Sequence, residues 1–190
     1  MIAVIDFETT GFKAGEDEVL QVSIIDDNEN TLLNVYCKPM NKTEWVEAER
    51  VHNITPLMVY NELPFERYAD TVREILSRAD FVIAYNYAFE DSFLRAYGIE
   101  VDKEKWFDPM LAFAEVYGQW DDYHGNYKWQ SLSKCAKYYG YEFKAHDSLE
   151  DVKATLFCYK KMTGIAVPSI PKLQKGADYN VDTTNKTKMV

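Results

Sequence analysis

Three short apolar runs within the first 37 residues set the terms on which this chain can fold. Residues 1–7 (MIAVIDF), 19–25 (VLQVSII) and 31–37 (TLLNVYC) are rich in β-branched residues, the pattern of buried strands. The acidic turn DDNEN joins the second run to the third, which predicts an antiparallel hairpin or meander. The pattern then changes. Residues 64–78 (PFERYADTVREILSR) predict a helix, with Pro64 in the first helical position and Phe65, Tyr68, Ala69, Val72, Ile75 and Leu76 at helical spacing. FVIAY at 81–85 predicts a fourth strand, followed by a helical stretch through Tyr97 that Gly98 ends. Asp108-Pro109 opens a short helix, GQWDDYHGNY at 118–127 reads as a polar loop, and residues 129–140 and 148–163 read as helices. A meander followed by alternating strands and helices is an α/β domain with a mixed sheet. The domain takes in residues 1–164. Residues 165–190 hold two prolines and no periodicity, and read as an extended tail.

Composition narrows the function classes. A chain of 190 residues with 47% hydrophobic residues buries a core and is not a mostly disordered one. No apolar stretch reaches the roughly 18 residues of a membrane span. The N-terminus meets acids at once, with no basic region before them, unlike a signal peptide. Cys37, Cys135 and Cys158 are too widely spaced for a disulfide framework or a zinc site, so reduced thiols and a cytoplasmic location are expected. The net charge of −10, from 21 basic and 31 acidic residues, argues against tight non-specific grip on nucleic acid through Lys and Arg. An acidic site that gathers divalent cations meets phosphates through the metals instead.

Such a site is visible in outline. Asp6 and Glu8 lie two apart on the first strand, so their side chains share one face, about 7 Å apart along the chain. Two buried carboxylates on one face repel unless a cation lies between them; the alternative is a strand end where both are solvated. Thr9, Thr10 and Gly11 follow as a tight turn whose backbone N–H groups can approach a ligand. Near the other end, Asp147 and Glu150 have capping-box spacing at the start of the last helix, which puts His146 just before it and Asp151 in its first turn. A neutral imidazole there is suited to act as a general base; the alternative is a surface histidine beside a cap. Asn86 is placed to cap the helix after the fourth strand, its amide also within reach of a ligand. Glu90 and Asp91 put acid in that helix's first turn, where the dipole favours it. Consecutive helical residues point about 100° apart, and the face marked by Phe89, Phe93, Leu94 and Tyr97 turns Glu90 inward and Asp91 out to water. His52, in ERVHNITP, reads first as a half-buried packing residue. Tyr138, Tyr139 and Tyr141 read as core and rim aromatics. Trp120, Tyr123, Tyr127 and Trp129 read as the packing of a loop, with base stacking the alternative.

Taken in order, DFETTG at 6–11, NYAFED at 86–91 and HDSLED at 146–151 closely resemble the three motifs of the DEDDh family of 3′-to-5′ exonucleases, the DnaQ-like group. VHNITP, Asp108 before a helix and WQSLSKCAKYYG at 129–140 add to the likeness, which covers roughly residues 1–163. The resemblance implies an RNase H-like fold with a five-stranded mixed sheet flanked by helices. It implies two divalent cations, Mg2+ or Mn2+, held by Asp6, Glu8, Glu90 and Asp151, with His146 as general base. It implies a substrate site that includes Thr9, Thr10, Gly11, His52, Asn86 and Phe89. The expected activity is release of nucleoside 5′-monophosphates from single-stranded 3′ ends, with DNA ahead of RNA or short oligoribonucleotides, and with a polymerase or another replication or repair protein as partner. One departure stands out: the family has Asp directly after the phenylalanine, and this chain has Glu90 there, with Asp91 next. Two other classes compete: a non-catalytic module that binds nucleic acid or a polymerase, and a metal-dependent phosphatase of small nucleotides.

Overall fold

The structure, a computed structural model, describes residues 1–164; the expected tail at 165–190 lies outside the described residues. Five strands form one mixed sheet: β1 (Ile2–Thr9), β2 (Val19–Asp26), β3 (Thr31–Tyr36), β4 (Phe81–Ile83) and β5 (Trp106–Phe107). Their order is β3-β2-β1-β4-β5. The first three make the antiparallel meander, and β4 and β5 run parallel to β1. The helices are α1 (Val46–His52), α2 (Pro56–Val59), α3 (Ala69–Arg78), α4 (Tyr87–Ala96), α5 (Pro109–Tyr117), α6 (Leu132–Tyr138) and α7 (Ser148–Thr163). Among the described residues no helix is long and apolar enough to cross a membrane.

The pleat of β1 sorts the core. Ala3, Ile5 and Phe7 point to one face and pack with Val72 and Leu76 of α3 and Phe93 and Leu94 of α4. Ile2 and Val4 point to the other, against Val152, Leu156 and Tyr159 of α7. Asp6 and Glu8 continue the Ile2–Val4 face, so the strand turns from apolar to acidic where the N-terminus of α7 arrives. On β2 the matching change comes at Ser23 and Gln21, in register with Asp6 and Glu8. Ser148, at the start of α7, is fully buried there, with its hydroxyl 2.6 Å from that of Ser23. On the other side of β1, β4 stops pairing at Ile83, opposite Val4. The strand therefore runs past its parallel neighbour, and Asp6 and Glu8 lie beyond the last β1–β4 pair.

Several local expectations are corrected. The helix expected over 64–78 is broken: Phe65–Arg67 forms a single tight 3-10 turn and α3 begins at Ala69, with Pro64 extended at ψ 155°. Burial of Phe65, edge-on to Phe7 at 5.6 Å, fixes that turn against the core and outweighs helical continuity. β4 ends at Ile83 and not at Tyr85, whose hydroxyl bonds the Gln130 carbonyl instead. α6 starts at Leu132, capped by the Ser131 side chain. The segment 118–127 is not all loop, since β6 (Trp120–Asp121) and β7 (Asn126–Tyr127) pair as a small hairpin.

Candidate active site

Four carboxylates from three elements converge at the acidic end of β1. Asp6 and Glu8 come from β1, Asp151 from the first turn of α7 and Glu90 from the first turn of α4. Glu90 is 2% exposed and Asp151 7%. Burial lifts the Asp6 carboxyl well above its ordinary range, and the neighbouring Asp151, Glu90, Glu8 and Asp147 add to the shift. Burial, then Asp151 and Asp147, push Glu8 up to about 8. Asp151 rises to about 7, chiefly by burial, although the His146 backbone N–H opposes this by donating to its Oδ2 at 3.0 Å. Glu90 is raised by burial, with Asp108 and Glu8 contributing. Asp6 feels all three of the other carboxylates, Glu8 feels Asp151 and Glu90 feels Glu8, so the charges of the four are linked.

Among the described residues no Lys or Arg pairs with these four carboxylates. Asp151 Oδ1 and Glu90 Oε2 are buried and accept no hydrogen bond. Buried acceptors normally find a partner, and an oxygen left over in a polar cluster points to an ion. An all-oxygen donor set of this charge suits Mg2+ or Mn2+, so the residues present fit the divalent cations that the motifs imply. His146 stands at the rim, exposed, with φ at 68°. Its ring lies close enough that one ligand atom each from Glu8, His146 and Asp151 fall within 4.8 Å of one another. Partial shielding of the ring at this rim lowers its pKa, which favours the neutral imidazole, able to take a proton.

The turn after β1 is held from behind. Gly11 faces the Asp17 carboxyl so closely that a Cβ there would lie 2.5 Å from Oδ2. Asp17 accepts from the Lys13 N–H and the Thr10 hydroxyl, and pairs with Lys42. The Thr10 N–H donates to the Glu18 carbonyl, and the Thr9 hydroxyl to the Gly11 carbonyl. The Thr10 amide expected to face a ligand is thus spent within the fold. His52 is buried, and its Nδ1 accepts from the Ile54 N–H at 2.9 Å. In the neutral ring the proton is then on Nε2, 3.2 Å from the Thr9 carbonyl. With both nitrogens engaged, His52 props the end of β1 and has none to offer a substrate.

The first turn of α4 differs from the expected cap. Asn86 is at the N-cap with φ 71°, but its side chain caps nothing. The carboxylate of Asp108, at the end of β5, accepts the Asn86 and Tyr87 N–H groups, both at 3.1 Å, and aims the turn that carries Glu90. This leaves the Asn86 amide outside the helix cap. Asp91 does not face water as expected: its side chain is 18% exposed and pairs with Arg95 at 2.7 Å, away from the cluster. The capping box of α7 closes on one side only. Asp147 accepts from the Leu149 N–H, while Glu150 pairs with Lys153. One neighbour of the site escaped the sequence reading. Phe12, 85% exposed, lies edge-on to Phe89 with ring centroids 6.4 Å apart. The available signal was an apolar residue directly after the turn glycine.

Comparisons with known proteins bear on the family and the fold. Residues 3–159 match the exonuclease family. A stretch of 95 residues, 48% of this chain, is 33% identical to the 3′-5′ exonuclease DinG of Bacillus subtilis (strain 168), of which it spans 10%. Among solved structures, zinc-bound E. coli exonuclease I with single-stranded DNA superposes with a TM-score of 0.69 at 20% identity, over 87% of this chain and 41% of that one. Exonuclease X in complex with 5′ overhanging duplex DNA gives 0.63 at 17% identity, over 89% and 95%. Exonuclease I from Methylocaldum szegediense gives 0.68 at 23% identity, over 88% and 41%. The sheet and its flanking helices have the RNase H-like fold of these proteins.

Proposed function

The chain belongs to the exonuclease family, and we propose that it is a metal-dependent 3′-to-5′ exonuclease releasing nucleoside 5′-monophosphates from single-stranded ends, DNA preferred over RNA. One observation carries the reading: the carboxylates of Asp6, Glu8, Glu90 and Asp151 are gathered together and all raised, Glu90 and Asp151 buried and Asp6 and Glu8 half-buried, and two of their oxygens have no partner among the described residues. Asp6, Glu8, Glu90 and Asp151 would hold the divalent cations, which when bound would supply charge stabilisation for cleavage of a phosphodiester.

The protein's own groups do the rest. His146, neutral and at the rim, takes the proton from the attacking water. Asp108 aims Glu90 through the backbone of the α4 turn, and His52 steadies the carbonyl of Thr9. Phe12 and Phe89 form an apolar lip against which the terminal base packs, and the Asn86 amide is available for substrate. The protein works in the cytoplasm, where its three buried thiols stay reduced, and it serves a polymerase or another replication or repair protein.

The test uses matched single strands of DNA and RNA, labelled at the 3′ end, with Mg2+, Mn2+ or EDTA. The expected result is labelled nucleoside 5′-monophosphate, faster from DNA, and none in EDTA. Release of inorganic phosphate would indicate a phosphatase. Bound metal with no cleavage of either strand would indicate a non-catalytic module.

A further inference from the structure

Away from the carboxylates, the chain displays an aromatic surface that its core does not absorb. The hairpin of β6 and β7 was expected to be a packed loop, yet Tyr123 is 90% exposed at its tip and Trp120 and Trp129 are each 52% exposed. The rings are presented in order. Trp120 and Tyr127 are paired across the two strands, edge to face at 5.2 Å. The Asp121 carboxylate accepts the Tyr123 N–H and the His124 ring, which fixes the tip.

The base of this hairpin is tied to the catalytic edge of the sheet. Gln130 is 7% exposed, and its amide donates to the Lys128 carbonyl and to Gln119, at the two ends of the hairpin. Its own carbonyl accepts the Tyr85 hydroxyl at 2.8 Å. Tyr85 directly precedes Asn86, whose N–H is held by Asp108 in the turn that carries Glu90. The charge here differs from that of the whole chain. From Tyr117 to Tyr138 three lysines face two aspartates, one of them consumed by the turn, in a protein of net charge −10.

We propose that the Trp120–Trp129 hairpin is a stacking platform for unpaired bases of a nucleic-acid strand whose 3′ end lies at the carboxylate cluster; this rests on the exonuclease reading above. Flat exposed rings stack on any base, so such a platform holds a strand without reading its sequence. Lys128 beside it suits the phosphates between the bases, while Lys134 donates to the Gln130 side chain at 2.7 Å and so helps hold the base of the hairpin. On an otherwise acidic protein, this gives a single strand a grip that bulk charge denies it.

The experiment compares the full chain with its Trp120→Ala/Tyr123→Ala variant. Binding of a fluorescent single-stranded DNA of about 20 nucleotides is measured by anisotropy in EDTA, and cleavage of that strand and of a trinucleotide is measured with Mn2+. The variant is expected to bind the long strand on the order of tenfold more weakly. Its ratio of kcat/KM for the long strand over the trinucleotide should fall by a similar factor. Unchanged long-strand affinity and an unchanged ratio would overturn the platform. If wild type binds through the hairpin but cleaves nothing, the exonuclease reading fails and the platform stands. Should the double variant not fold, Tyr123→Ala alone decides, with Tyr123→Phe expected to restore binding. A dimer that the variant disrupts, together with unchanged long-strand affinity, would assign the surface to a second copy of the chain and refute the proposal.

Discussion

Without metal, the stability of this protein should fall as pH rises, because its acidic cluster prefers to be neutral. Burial lifts Glu8 to about 8 and Asp151 to about 7 in the folded chain, while unfolded both titrate near ~4. A folded pKa above the unfolded one means that the native state holds the proton more tightly. That contribution is complete below about pH 4 and is lost as pH climbs to about 7 or 8. At about 1.4 kcal/mol per pH unit, Asp151 forfeits about 2 kcal/mol between pH ~5.5 and ~7, and Glu8 about 3 kcal/mol between ~5.5 and ~8. The two share one cluster and do not add, so about 3 kcal/mol for the pair is the working figure. For a domain of this size that is a drop in Tm of roughly 10 °C. The assay is thermal melting in EDTA at several pH values across this range. Self-repulsion of a chain with net charge −10 acts in the same direction, so the Glu8→Gln/Asp151→Asn variant is measured alongside. The wild-type slope should be clearly steeper, and Mn2+ should flatten it by favouring the ionised carboxylates. Equal slopes for the two proteins in EDTA would refute the reasoning.

His146→Ala should lower turnover by roughly 10²–10⁴ and leave metal binding, read by calorimetry, nearly intact; wild-type turnover across neutral and alkaline pH would remove its role as base. Glu90→Ala should abolish cleavage, whereas Asp91→Ala should break only the ion pair with Arg95 and keep activity; the reverse outcome would make Asp91 the ligand. The methylene that Glu90 adds over the family's aspartate should favour Mn2+, because magnesium tolerates displaced ligands poorly, and Glu90→Asp should raise the ratio of Mg2+ to Mn2+ activity. Gly11→Ala should lower both Tm and activity, since its Cβ would collide with the Asp17 carboxyl at 2.5 Å; an unchanged rate would mean that the turn relaxes freely.

The parts of the fold that follow from periodicity were legible in the sequence. The meander, α7 and the inward turn of Glu90 on α4 rest on spacing alone, and the structure has each. The face shared by Asp6 and Glu8 was likewise readable from the pleat, although its opposition to α7 needed the sheet order. Features that depend on distant partners were not legible. Asp108 lies 22 residues beyond Asn86 and takes over the capping expected of the asparagine. The buried Phe65 interrupts a helix that its own neighbours favour. His52 serves the carbonyl of Thr9, 43 residues away, through a tautomer set by Ile54. The aromatics at 120–129 looked like packing because composition does not say which side of a ring faces water.

The most direct test of the site is anomalous diffraction from crystals soaked in Mn2+ together with a nucleoside 5′-monophosphate. The account predicts two peaks about 3.5–4 Å apart, ringed by the carboxylates of Asp6, Glu8, Glu90 and Asp151, with the His146 ring outside the coordination spheres. A single peak ligated by His146 together with Glu8 and Asp151, whose ligand atoms already lie within 4.8 Å of one another, would contradict both the two-metal site and the role of His146 as base.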